Sequence, residues 1–116
     1  MDKEEKNLIG CQVGHSKEVC QRFHETIELI GKRWNGIIIY SLLGGPMRYH
    51  ELQAQINGIS DRLLTERLKE LEKEGLVVKN ISADSPRKVE YELTEAGKRM
   101  EEIIQSIFKW ISINKK

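Results

Sequence analysis

Two sets of side chains in this sequence have types and spacings that suit chemistry. The first is Cys11, His15, Cys20 and His24, two cysteine–histidine pairs whose partners stand four positions apart. On a helix each pair shares a face, and four N and S ligands suit a tetrahedral metal ion. However, the gap from Cys11 to Cys20 crosses Gly14, and the close Cys-x-x-Cys spacing of structural zinc sites is missing. No metal site is assigned, and a metal-responsive role for these four residues is kept as an alternative. Two cysteines are also too few for a disulfide framework, so they are read as thiols. The second set is Arg62, Thr65, Glu66, Lys69 and Lys73: cations and hydrogen-bonding groups suited to a polar, anionic partner.

The second set needs a helix to hold it. Leu63, Leu64, Leu68 and Leu71 recur at helical spacing over 61–74, with Ser60 placed to cap the helix and Gly75 to end it. At about 100° per residue, Arg62, Thr65, Glu66, Lys69 and Lys73 fall opposite the leucines. Before it, Arg48 to Ile56 reads as a short amphipathic helix with Tyr49, Leu52 and Ile56 inward, followed by the turn pair Asn57-Gly58. After it, residues 76–81 and 88–93 read as two strands around the loop Ser82 to Pro86. Cys20, Phe23, Ile27, Ile30 and Trp34 form one stripe of an earlier helix. Ile37 to Leu43 is apolar nearly all round, as in a central core helix, although its β-branched isoleucines also suit a strand, and it stops at Gly44-Gly45-Pro46. A last helix, capped by Thr94, carries Met100, Ile103, Ile104, Ile107, Phe108 and Ile111, with Trp110 beside them. The expected fold is mainly α with a small β-hairpin wing: a winged helix-turn-helix over residues 20–116, preceded by a flexible arm over 1–19.

That arrangement has a specific physical use. A helix fits the DNA major groove, its early residues meet base edges, and the preceding helix spans the backbone. The expected DNA-facing set is Ser60, Arg62, Thr65, Glu66, Lys69 and Lys73. Arg48 is a phosphate candidate, and Arg87 and Lys88 at the wing can reach a phosphate or the minor groove. The competing reading is a solvated helix face, because residues 60–75 hold four cations against five carboxylates.

Composition bounds the alternatives. The chain has 116 residues, enough for one domain, with 39% apolar and 32% charged residues and a net charge of +1. Bulk charge therefore does not decide the partner. No apolar run approaches a membrane span and no signal-type segment opens the chain, so a cytoplasmic location without membrane contact is expected. No phosphate-cradling glycine loop, zinc-protease helix or nucleophile elbow appears, so no enzyme activity and no cofactor are expected. A winged-helix module for protein–protein assembly, without an operator, is the alternative from another class.

The runs Ile30 to Trp34, Leu42 through Pro46, Arg48 to Leu52, Ile59-Ser60, Leu64 to Glu72, Gly75 to Val77 and Pro86 to Gly97, in that order, resemble the HxlR-type winged-helix transcriptional regulators, relatives of the MarR group. Lys32-Arg33-Trp34-Asn35-Gly36 resembles the branch that senses quinones and other electrophiles. The resemblance implies a homodimer that reads a palindromic double-stranded operator, usually as a repressor. Its first and last helices would associate through Phe23, Ile27, Ile103, Ile107, Trp110 and Ile111. It also implies a sensor thiol fourteen positions before the tryptophan, which is where Cys20 stands relative to Trp34. A helix N-terminus there would favour thiolate, the species that attacks electrophiles and oxidants. The other reading of Cys20 is a small apolar filler in the helix stripe, and Cys11 is its possible partner thiol. The C-terminal cysteine that some relatives use is absent here, which leaves alkylation or a mixed disulfide open.

Overall fold

A computed structural model describes residues 16–85 and 87–115. The chain divides into two units between Arg33 and Trp34. In the first, helix α1 spans Lys17–Gly31. The Ser16 hydroxyl caps it by accepting from the Val19 amide at 3.1 Å. None of its side chains is buried: Phe23 is 60% and Ile27 54% exposed.

The second unit begins with α2 (Asn35–Leu42), followed by strand β1 (Met47–Arg48), helix α3 (Tyr49–Gln55) and helix α4 (Asp61–Lys73). Strands β2 (Val77–Ile81) and β3 (Val89–Leu93) follow, then α5 (Glu95–Lys98) and α6 (Glu101–Asn114). The sheet order is β1-β3-β2, antiparallel throughout, with Val77 opposite Leu93 and Arg48 opposite Glu90. Ile38, Ile39 and Leu42 of α2 are fully or almost fully buried, as its all-round apolar sequence requires. They share the core with Leu52, Ile56, Ile59, Leu64, Leu68, Leu71, Leu76, Val77, Leu93, Met100 and Ile104.

The backbone departs from the sequence reading at four places. The first helix starts at Lys17, so Cys20 lies at the end of its first turn, its amide already bonded to the Ser16 carbonyl at 3.1 Å. A free helix N-terminus at Cys20 is thus not what its neighbourhood provides, because the dipole effect falls off within that turn. Trp34 does not continue the α1 stripe. It takes left-handed backbone at φ 84° and stands as the N-cap of α2. Arg48 lies in β1 before α3 begins, a strand too short to show an alternating pattern. Finally, the last helix is broken. Thr94 caps α5 by accepting from the Gly97 amide at 3.1 Å, and Arg99-Met100 form a turn before α6.

Candidate nucleic-acid interface

Helices α3 and α4 are joined by the turn expected at Asn57-Gly58, where Gly58 takes φ 92° at no steric penalty. Ile59 is buried and anchors the exit. Ser60 Oγ accepts from the Leu63 amide at 3.1 Å, satisfying a donor that the first helical turn leaves free. Replacing Ser60 with alanine should cost about 1 kcal/mol of stability, read as a lowered urea midpoint. A midpoint equal to wild type would mean the cap is dispensable.

The rotation of α4 is set by burial. Leu64, Leu68 and Leu71 are buried behind it, while Leu63 is only half-buried. Arg62, Thr65, Glu66, Lys69 and Lys73 are all exposed, and Asp61 joins them. Arg62 Nε stands 3.3 Å from Glu66 Oε2, one turn on, with the arginine 88% exposed. Such a pair contributes ~0–1 kcal/mol, so it does not tie the guanidinium down. Arg87 and Lys88 are exposed beside the hairpin loop, where the Lys88 amide donates to the Ser85 carbonyl at 2.8 Å. Pro86, expected to stiffen this loop, lies outside the described residues. Arg48 is half-buried, and its backbone amide donates to Glu51 at 2.7 Å.

One cluster goes beyond the sequence reading. Tyr49, expected as an inward residue, is half-buried and sends its hydroxyl to α4. That oxygen lies 2.8 Å from the Asp61 carbonyl, 3.2 Å from Asp61 Oδ1 and 3.2 Å from Thr65 Oγ1. The Gln53 side-chain amide also donates to Asp61 Oδ1. A sequence signal existed in the spacing. Tyr49 and Gln53 are four apart on α3, Asp61 and Thr65 four apart on α4, and a tight turn brings the two faces together.

Of the four cysteine and histidine residues, Cys11 and His15 lie outside the described residues. Cys20 is disulfide-bonded rather than a free thiol, which removes it as a metal ligand in this state. His24 packs edge-on against Phe23, with ring centroids 5.8 Å apart. In the second unit Ile103, Ile107, Trp110 and Ile111 are exposed along α6, where only Ile104 is buried.

The family profile described as "HxlR-like helix-turn-helix" matches residues 29–116. This chain is an HxlR-like helix-turn-helix protein. It is 40% identical to the HTH-type transcriptional regulator YvaP of Bacillus subtilis (strain 168) over 83% of this chain and 89% of YvaP. Among solved structures, the reduced form of the transcriptional regulator YodB from B. subtilis superposes with a TM-score of 0.76 at 38% identity, over 82% of this chain and 93% of that one. The redox regulator HypR in its oxidized form gives 0.74 at 35%, over 82% and 98%. The HxlR-like chain is therefore a transcriptional regulator of the helix-turn-helix type, its hairpin is the wing of a winged helix, and its relatives include redox regulators. None of the helices among its described residues is long and apolar enough to cross a membrane.

Proposed function

We propose that this HxlR-like regulator binds a palindromic double-stranded DNA operator as a homodimer and that oxidation or alkylation of Cys20 controls it. The observation that carries the DNA reading is the outward face of α4: Arg62, Lys69 and Lys73 exposed, with three leucines buried behind them. In the groove, Ser60, Arg62, Thr65, Glu66 and Lys69 meet base edges or nearby phosphates. Lys73 and Arg48 contact the backbone, and Arg87 and Lys88 follow it from the wing. Two copies of this local face compensate for a chain whose net charge is only +1. The dimer reading is supported by the exposed apolar side chains of Phe23 and Ile27 on α1 and of Ile103, Ile107, Trp110 and Ile111 on α6.

For control at Cys20, oxidation of two thiols to a disulfide gives two electrons and two protons to an oxidant such as diamide. Alkylation instead adds Cys20 Sγ to a ring carbon of a quinone: the C–S bond forms as the ring C=C opens, its electrons move to the carbonyl oxygen, and the thiol proton ends there, leaving a hydroquinone thioether. The disulfide at Cys20 and the likeness to HypR support this role, and Cys11 is proposed as its partner thiol.

The test is a binding-site selection from random duplex DNA, with and without diamide, followed by affinity measured against salt. A DNA binder loses affinity steeply as salt rises, whereas an apolar assembly surface does not. In the same assay Cys20→Ser should match wild type under reducing conditions and lose the response to diamide or quinone. A response that survives in that variant removes Cys20 from the mechanism.

A further inference from the structure

We propose that the first turn of α4 selects a base carrying an exocyclic amino group, adenine or cytosine, and that Tyr49 and Gln53 are the positioning residues that impose this choice. The inference rests on the reading that α4 enters the major groove.

Proton counting decides which way each hydroxyl points. A tyrosine hydroxyl has one proton to donate. The Asp61 carbonyl, at 2.8 Å, and Asp61 Oδ1, at 3.2 Å, can only accept, so the Tyr49 proton points at Asp61. Thr65 Oγ1, also 3.2 Å from the Tyr49 oxygen, is then the donor in that contact. Gln53 fills Asp61 Oδ1 from the other side. The threonine proton is thus spent inside the cluster. What the side chains of Asp61 and Thr65 present outward is acceptors alone: Asp61 Oδ2 and the remaining lone pairs of Thr65 Oγ1.

In the major groove the donors are the N4 amino group of cytosine and the N6 amino group of adenine. Guanine offers O6 and N7, and thymine offers O4 and a methyl group. An acceptor-only pair on an exposed helix face finds a partner on the first two bases and repulsion on the others. A carboxylate brought among phosphates loses binding energy unless a donor meets it. The bound base supplies that donor, and the clamp from α3 keeps the carboxylate from turning away.

The experiment selects sites from random duplexes with wild type and Tyr49→Phe. It then measures affinity for the selected operator with adenine replaced by purine, or cytosine by 2-pyrimidinone, which lacks the 4-amino group, one position at a time. One position in each half-site should be confined to adenine or cytosine, and deleting its amino group should weaken binding roughly 10-fold. Tyr49→Phe removes the acceptor for the threonine proton, so Thr65 can donate and the same position should admit guanine or thymine, with the salt dependence unchanged. Asp61→Asn, which adds a donor, should relax it likewise. A uniform loss over all sequences in Tyr49→Phe would reduce Tyr49 to a structural role and overturn the inference. So would amino-group deletions without effect at every position of an operator that still requires Arg62. A wild-type protein that selects no sequence at all overturns the DNA reading itself.

Discussion

Replacing Gly97 with alanine is expected to destabilise the second unit by about 3 kcal/mol, seen as a large drop in the urea midpoint. The added Cβ would stand 2.2 Å from the Leu76 carbonyl oxygen and 3.0 Å from Leu93 Cδ2. The carbonyl is backbone and has little room to yield. It accepts from the Thr94 amide at 2.9 Å, and Thr94 Oγ1 donates to the neighbouring Gly75 carbonyl at 2.6 Å. Moving Leu76 away breaks the first of these bonds and displaces Val77 from its register with Leu93. Gly44→Ala is the control, because its Cβ meets only the Ser41 carbonyl at 3.9 Å, an ordinary van der Waals approach. Equal midpoints for the two variants would show that the approach of α5 to Leu76, just before β2, is loose. The consequence reaches function, since Gly75 and Leu76 join the end of α4 to the wing.

The parts of this architecture that a sequence reveals are those governed by local rules. Ser60, Thr94 and Gly58 do what cap and turn chemistry demands, and the leucine spacing of α4 fixes which side faces out. The parts that stay hidden depend on neighbours distant along the chain. Met47–Arg48 becomes a strand only because β3 offers a free edge, with Met47 opposite Tyr91. Gly97 looks like a helix interruption in sequence, and its reason appears only when Leu76 is seen against it. Trp34 fits the periodicity of α1 by number, yet its left-handed backbone ends that period and its ring lies 3.6 Å from where a Gly58 Cβ would be. The candidate interface divides in the same way. Its cations are legible as the face opposite the leucines. The Tyr49–Gln53–Asp61–Thr65 cluster is not, because Tyr49 satisfies an inward apolar position and a polar bond at once, and a hydropathy pattern records only the first.

The largest functional effect expected is from removing two cations together. The double variant Arg62→Ala, Lys69→Ala should bind the selected operator about 100-fold more weakly or worse, and its affinity should fall less steeply with salt. Each phosphate that a subunit no longer neutralises lowers the slope by roughly one unit, and a palindromic dimer feels the change twice. The single variants separate the roles. Lys69→Ala, which deletes a point charge, should weaken all sequences alike and flatten the salt dependence. If Arg62 pairs with a guanine edge, Arg62→Ala should instead relax the preference at one position and leave the slope nearly intact. Glu66→Gln takes a carboxylate away from the phosphates, so binding to unselected sequences should tighten modestly, while the preference at the base that Glu66 meets should change. Stability does not confuse these readings. All three side chains are exposed, α4 is held by Leu64, Leu68 and Leu71, and surface changes of this kind cost within about 0.5 kcal/mol. Wild-type affinity and slope in the double variant would place the DNA contact somewhere other than the outward face of α4.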